Sequence, residues 1–214
     1  MTFATNKRGG TVPGLSAGWR VSKERCMREK LPFANDLTLR ASWVKLGNNR
    51  SYDSSGNPLY FQYLSTYNME NGAILGETPT INKGFVPGRI GNPNITWEKV
   101  DTKNIALDGN LWNSMLGFTV EYFYQLRKDI LTPKQASIPS YTGLILPDQN
   151  IGEVSNQGVE LMLTHRNRVN DINYFVSGNL TYTKNKIKFF DEAANVPEWQ
   201  RRTGHSIDSW LMYK

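Results

Sequence analysis

Apolar and polar side chains alternate along six stretches of the chain, a period of two that puts every second side chain on the same face. In 12–21, Val12, Leu15, Ala17, Trp19 and Val21 fall mostly on one side, with Pro13 and Gly14 breaking the phase. In 37–45, Leu37, Leu39, Ala41 and Trp43 alternate with Thr38, Arg40, Ser42 and Val44, and in 103–111 Ile105, Leu107, Gly109 and Leu111 oppose Asn104, Asp108 and Asn110. The pattern is cleanest in 116–125, where Leu116, Phe118, Val120, Tyr122 and Tyr124 oppose Gly117, Thr119, Glu121, Phe123 and Gln125. Val159, Leu161 and Leu163 then oppose Glu160, Met162 and Thr164, and Tyr174, Val176, Gly178, Leu180 and Tyr182 oppose Phe175, Ser177, Asn179, Thr181 and Thr183. No long window carries a clean helical period. The pattern predicts six strands.

The connections alternate too. Segments 23–36, 112–115 and 166–171 are short or moderate, whereas 46–98, 126–156 and 185–214 are long and rich in Gly, Asn, Pro and Tyr. Short turns at one end and long loops at the other are the pattern of an up-and-down transmembrane β-barrel. Loops this long count against an ordinary compact domain. The alternating segments run about 9–11 residues, enough for a tilted strand to cross a bilayer. Trp43, Tyr122, Tyr124 and Tyr182 lie toward the long-loop end, and Trp19, Trp112 and Tyr174 toward the short-turn end. Two such groups predict aromatic girdles at both interfaces. A soluble sandwich or lectin-like β domain also alternates, and it stands as the rival reading.

Composition narrows the classes further. A chain of 214 residues that is 39% hydrophobic and 21% charged, with a mean hydropathy of -0.51, is too polar for a helical membrane bundle and too apolar for a disordered tail. Barrel strands, by contrast, score as hydrophilic because only one face is dry. The single cysteine, Cys26, excludes an internal disulfide, and with His165 and His205 it makes too small a donor set for a structural zinc site. No apolar signal core stands in residues 1–20.

An ordered series of segments carries a resemblance. It begins with Pro13-Gly14-Leu15-Ser16-Ala17-Gly18-Trp19-Arg20-Val21-Ser22, then Leu37-Thr38-Leu39-Arg40-Ala41-Ser42-Trp43 and Leu46-Gly47-Asn48. Next come Gly91-Asn92-Pro93-Asn94-Ile95-Thr96-Trp97-Glu98-Lys99, Asn104-Ile105-Ala106-Leu107-Asp108 and Glu121-Tyr122-Phe123-Tyr124. It closes with Asn150-Ile151-Gly152-Glu153-Val154-Ser155-Asn156-Gln157-Gly158-Val159-Glu160-Leu161 and Thr183-Lys184-Asn185-Lys186-Ile187. In this order the segments resemble the late barrel portion of TonB-linked outer-membrane transporters of the SusC/RagA type. The resemblance implies import of oligosaccharides or peptides across a bacterial outer membrane, with a SusD-like surface lipoprotein as partner. It also implies contact with the TonB complex only through a plug domain. Plug, TonB box and a closing strand ending in an aromatic are not found in 1–214. Six strands are fewer than the eight of the smallest bacterial barrels. The expectation is therefore an all-β fold of about six antiparallel transmembrane strands, a partial barrel domain belonging to a larger barrel.

Motifs for chemistry are thin. His205, Ser206 and Asp208 crowd one short segment, which reads as a loop coincidence, because a nucleophilic triad is assembled from distant elements. Asp191-Glu192 reads as solvated loop acid, and no phosphate-binding glycine loop is present. Neither enzyme activity nor a cofactor is expected. The net charge of +6 raises nucleic acid as a partner, but the basic residues form no single stripe, so none is expected.

Two sets of residues are left as candidate contacts. Tyr52, Tyr60, Phe61, Tyr63 and Tyr67, with Trp97 and Tyr141, fall in the long-loop segments. Their rings suit the apolar faces of sugars or a protein lid, while packing on one another to hold the loops together is the favoured reading. Lys45 and Arg50, then Arg127 and Lys128, then Lys184, Lys186 and Lys188 follow the three upward strands just beyond the girdle. Arg127, Lys128, Lys184 and Lys186 are the candidate lipopolysaccharide contacts, through pairing with phosphate. Arg40, Asn104, Asp108, Glu121 and Glu160 are expected on the polar face, lining the lumen or meeting a plug.

Overall fold

A computed structural model of the protein describes residues 3–52, 55–75, 80–134, 146–193 and 195–209. Eight strands stand among them: β1 (Gly14–Arg20), β2 (Ala34–Asn48), β3 (Tyr67–Leu75), β4 (Thr80–Pro87), β5 (Glu98–Leu111), β6 (Leu116–Pro133), β7 (Asp148–Val169) and β8 (Ile172–Phe189). One short helix, α1 (Arg25–Lys30), sits between β1 and β2. Strands β1, β2, β5, β6, β7 and β8 form one sheet in that order, and every neighbouring pair is antiparallel. This is up-and-down topology with β1 and β8 at its edges. Strands β3 and β4 make a separate hairpin.

Register is what gives the sheet two different faces. Leu39, Leu107, Val120, Leu161 and Leu180 lie side by side in one row across five strands, with Trp19 of β1 beside Leu39. One row toward the short turns are Leu37, Gly109, Phe118, Leu163 and Gly178; one row toward the loops are Ala41, Ile105, Tyr122, Val159 and Tyr182. Because side chains repeat every two residues, all these rows share one face, and a one-residue slip anywhere would scatter them. Gly109 has a purpose in this band: a Cβ there would stand 2.2 Å from Cε1 of Phe118, so the ring lies over the bare backbone of the neighbouring strand.

Aromatic rows close the band. Trp43 and Tyr124 share the row above. Below, the Tyr174 hydroxyl is 3.3 Å from His165 Nε2, and Phe33 stacks on Trp112 at 6.0 Å. From Tyr174 to the level of Lys184 the strand rises about 33 Å along its axis, or about 25 Å across a bilayer at the usual barrel tilt.

The strands outrun the sequence expectation. Stretches of about 9–11 residues become strands of 14, 18, 22 and 18 residues in β5 to β8. Periodicity shows only the part of each strand whose two faces meet different solvents. Above the Tyr124 row the alternation weakens, and β6 runs on to Pro133 for about 30 Å more. The segment 46–98, read from sequence as a loop, contains the β3–β4 hairpin. The turn expected over 166–171 narrows to Asn170 and Asp171, with Asn170 in the left-handed region at φ 56°. The turn over 112–115 is tight, and Trp112, Asn113 and Ser114 all take positive φ there.

Candidate functional site

The polar face holds the grooves of the sheet. Within the band, Arg40 of β2 makes a bidentate pair with Asp108 of β5, through Nε and through Nη2 at 3.1 Å. The Thr119 hydroxyl donates to the same carboxylate at 2.9 Å, and Arg40 Nη2 stands 3.8 Å from Glu121. Glu121 faces Glu160 across the β6–β7 ladder, in the row that also holds Arg40 and Thr181. One guanidinium therefore serves two carboxylates, Asp108 and Glu121, in a partly exposed setting, with a third, Glu160, next in the row. Planar two-point geometry holds Arg40 on Asp108, which leaves the Glu121–Glu160 pair short of positive charge.

Above the band the same face becomes partly apolar. Leu46, Val100, Arg127, Val154 and Ile187 form one row. Val100, Arg127, Val154 and Ile187 of this row, with Phe190, Arg202 and Ile207, border a cavity of ≈ 520 Å³, whose walls also include Gln125, Asn156, Asn185 and Phe189. The Arg202 guanidinium lies 5.7 Å from the Phe190 ring centre. Ile187 pairs through its backbone with Gly204 and His205. Ser206 Oγ donates to Asn185 at 2.7 Å and not to His205, so the His-Ser-Asp cluster tethers the loop to the edge of β8. Glu192 is the cap of this segment: it accepts the backbone N–H groups of Arg202 and Thr203. Burial pushes its carboxyl upward, but these bonds and the Arg201 charge outweigh it and hold the carboxyl below its ordinary range.

Two asparagines that sequence reasoning assigned no role pin the loop bases. Asn92 Nδ2 donates to the Asp148 carbonyl at 2.9 Å, its Oδ1 accepts from Asn94 N at 2.9 Å, and its N–H reaches the Gln62 carbonyl. Asn150 Oδ1 accepts from Thr96 N, and its Nδ2 donates to the Thr96 and Asp129 carbonyls, each at 2.8 Å. Between them sits Ile95, only 1% exposed. Asn beside Pro in Gly91-Asn92-Pro93-Asn94 was the available signal, since Asx turns form there. Burial raises the Asp148 carboxyl above its ordinary range, and the charge of Arg89 offsets part of that rise.

The expected aromatic cluster is not one cluster. Phe61 and Tyr63 meet with ring centres 6.3 Å apart. Tyr52 bridges to Pro58, and Tyr60 accepts Arg89 on its carbonyl. Trp97 stands elsewhere, 6.4 Å from Phe3 and against Gly47 and Gly10. Tyr141 lies outside the described residues.

The basic set also divides. Lys184 shares the apolar-face row of Trp43, Lys103 and Tyr124, and Lys186 stands one row higher with Lys45 and Asp101. Lys128 stands opposite Lys99, on the same face again. Arg127 does not belong with them. Consecutive strand residues point to opposite faces, so Arg127 borders the cavity on the polar side.

An antiparallel up-and-down sheet with a dry band on one face, aromatic rims and a polar, grooved opposite face is the wall of a transmembrane β-barrel. The family described as "TonB dependent receptor-like, beta-barrel" matches residues 2–211, and the chain belongs to it. It is 30% identical over 190 residues to TonB-dependent receptor P26 of Formosa agariphila, covering 86% of this chain and 18% of that protein. It is 28% identical over 189 residues to TonB-dependent receptor SusC of Bacteroides thetaiotaomicron, again 86% of this chain and 18% of the relative. The solved structure of the RagAB peptide transporter shares the fold with a TM-score of 0.72 at 22% identity, over 95% of this chain and 21% of that one. The chain thus spans about one fifth of the length of these relatives.

Proposed function

We propose that residues 1–214 form part of the wall of a TonB-dependent importer in a bacterial outer membrane. The cargo class is oligosaccharide or peptide, a SusD-like surface lipoprotein caps the long-loop end, and the wall itself catalyses nothing. One observation carries this reading: three dry rows stay in register across the sheet and end in aromatic rows. A soluble sheet has no reason to confine its apolar side chains to a band of bilayer height. The TonB-linked plug would meet the Arg40, Asp108, Glu121 and Glu160 cluster. Tyr52, Tyr60 and Tyr63 would offer ring faces to cargo or lid from the long-loop side, and Trp97, from its separate place against Phe3, and Tyr141 are proposed for the same contact. The hairpin supports a lipoprotein partner, because Tyr67, Met69 and Phe85 stand exposed on it and Met69 pairs directly with Phe85. Such an exposed apolar patch marks an interaction site.

Epitope tags test the orientation in the full-length receptor that carries this segment. A tag at Gly56 is expected to bind antibody on intact cells. A tag at Ser114, in the tight turn, is expected to bind only after the outer membrane is permeabilised. Access to both tags on intact cells, or to Ser114 alone, would refute the proposal.

A further inference from the structure

We infer that Lys103, Lys128, Lys184 and Lys186 form a docking surface for the phosphate groups of an outer-leaflet glycolipid. The inference rests on the outer-membrane reading above and adds a ligand to it. Six lysines stand on the apolar face at the long-loop rim: Lys45, Lys99, Lys103, Lys128, Lys184 and Lys186. All six are exposed. Two carboxylates of the same rim, Asp101 and Asp129, are engaged. Asp101 accepts the Trp43 indole N–H at 2.9 Å, and Asp129 takes Lys99 at 2.7 Å. Lys45 lies 5.5 Å from the Trp43 ring centre. Among the described residues no ion pair reaches Lys103, Lys128, Lys184 or Lys186.

Position argues for a lipid rather than for general solubility. Lys103 and Lys184 share the Tyr124 row, so their stems begin at the top of the dry band. The other two stand one and two rows higher. Three strand spacings separate Lys103 from Lys184, about 14 Å, and the rows span a similar height. This is the area of a lipid headgroup, continuous with the surface that acyl chains would cover. Lysine stems can lie along that apolar surface while the ammonium groups reach upward. The opposite rim of the same face differs: Asn167, Val169, Ile172 and Tyr174 carry no charge. On β7 and β8 the cations of this face stand at the long-loop rim alone, which fits a ligand confined to one leaflet. An ammonium group offers three donors to phosphate oxygens, and its attraction to an anionic membrane surface is worth about fivefold in affinity per residue.

The test uses the full-length receptor extracted from outer membranes in mild detergent, with bound lipid identified and counted by mass spectrometry. Lys103→Gln, Lys128→Gln, Lys184→Gln and Lys186→Gln together are expected to weaken glycolipid binding several hundredfold, about fivefold per residue, and so to remove most of the retained phosphorylated glycolipid. The four corresponding arginine substitutions should retain it, and Arg127→Gln, on the other face, should change nothing. If the fourfold variant does not assemble, the pairs Lys103→Gln/Lys128→Gln and Lys184→Gln/Lys186→Gln give the same reading at smaller amplitude. Undiminished glycolipid on the glutamine variants overturns the inference, as does an equal loss with Arg127→Gln. Loss of glycerophospholipid alone overturns the choice of ligand. A wild-type receptor found outside the outer-membrane fraction overturns the importer reading itself, and this inference with it.

Discussion

Leu161 occupies the middle of the dry band, between Val120 of β6 and Leu180 of β8, so an arginine there would test the membrane assignment most directly. In the full-length barrel, Leu161→Arg places a guanidinium at the level farthest from either aromatic rim, where such a change costs about 2–4 kcal/mol. Moving the substitution four residues along β7 to Gln157, in the Tyr124 row, should reduce the cost to about 0–1 kcal/mol, because the side chain reaches the headgroups. The opposite face supplies the contrast. Thr181 lies directly across from Glu160, so Thr181→Arg adds a cation beside a carboxylate that has no ion pair among the described residues. That change is expected to fall within about 1 kcal/mol of neutral, on either side. Folding into lipid vesicles titrated with guanidinium and followed by tryptophan emission and gel mobility gives all three values. Equal losses at Leu161 and Thr181, or no difference between Leu161 and Gln157, would refute the claim that this face meets hydrocarbon.

Asn150→Ala removes three hydrogen bonds at the loop base, leaves the part-buried Thr96 and Asp129 carbonyls without this partner and should cost about 2–3 kcal/mol locally, read as faster hydrogen exchange at Thr96. Asp148 binds a proton more tightly in the folded state than in the unfolded one, so its charge lowers stability as pH rises through and above the ordinary carboxylate range. Asp148→Asn should therefore protect residues 146–152 from exchange at neutral pH, with the advantage vanishing below that range. Gly158→Ala would set a Cβ 2.5 Å from the Tyr182 carbonyl and 2.8 Å from the Phe123 ring. It should cost about 1–3 kcal/mol in the same folding titration.

What the sequence disclosed depended on where two solvents meet. Leu116 to Tyr124 could be read from alternation, because one side is dry and the other wet, and the register places those residues side by side with the expected partners in β5, β7 and β8. Beyond Tyr124 both sides of the strand meet protein or water, so Gln125 to Pro133 gives no period although it is strand. The β3–β4 hairpin was hidden for a related reason: Asn68 to Asn71 in β3 mixes polar and apolar residues without a phase. Arg127 was misgrouped because adjacency along the chain was taken for adjacency in space, which a strand forbids. The asparagine ties escaped because Asn92 and Asn150 act through backbone groups of residues 21 to 56 positions away.

Val100, Val154 and Ile187 mean that β5, β7 and β8 turn an apolar side chain to the opposite side as they leave the bilayer. Below the Tyr124 row the wall is held in shape by the surrounding oil; above it, by its own interior, as in a water-soluble protein. The emergent part of β6 and β7, about half of the first and two fifths of the second, is then a thermodynamically distinct storey built on the same strands. Urea should loosen that storey first, while the lower one persists until the lipid itself gives way. Such a division lets the mouth of the barrel be reshaped, residue by residue, without rewriting the part that anchors it.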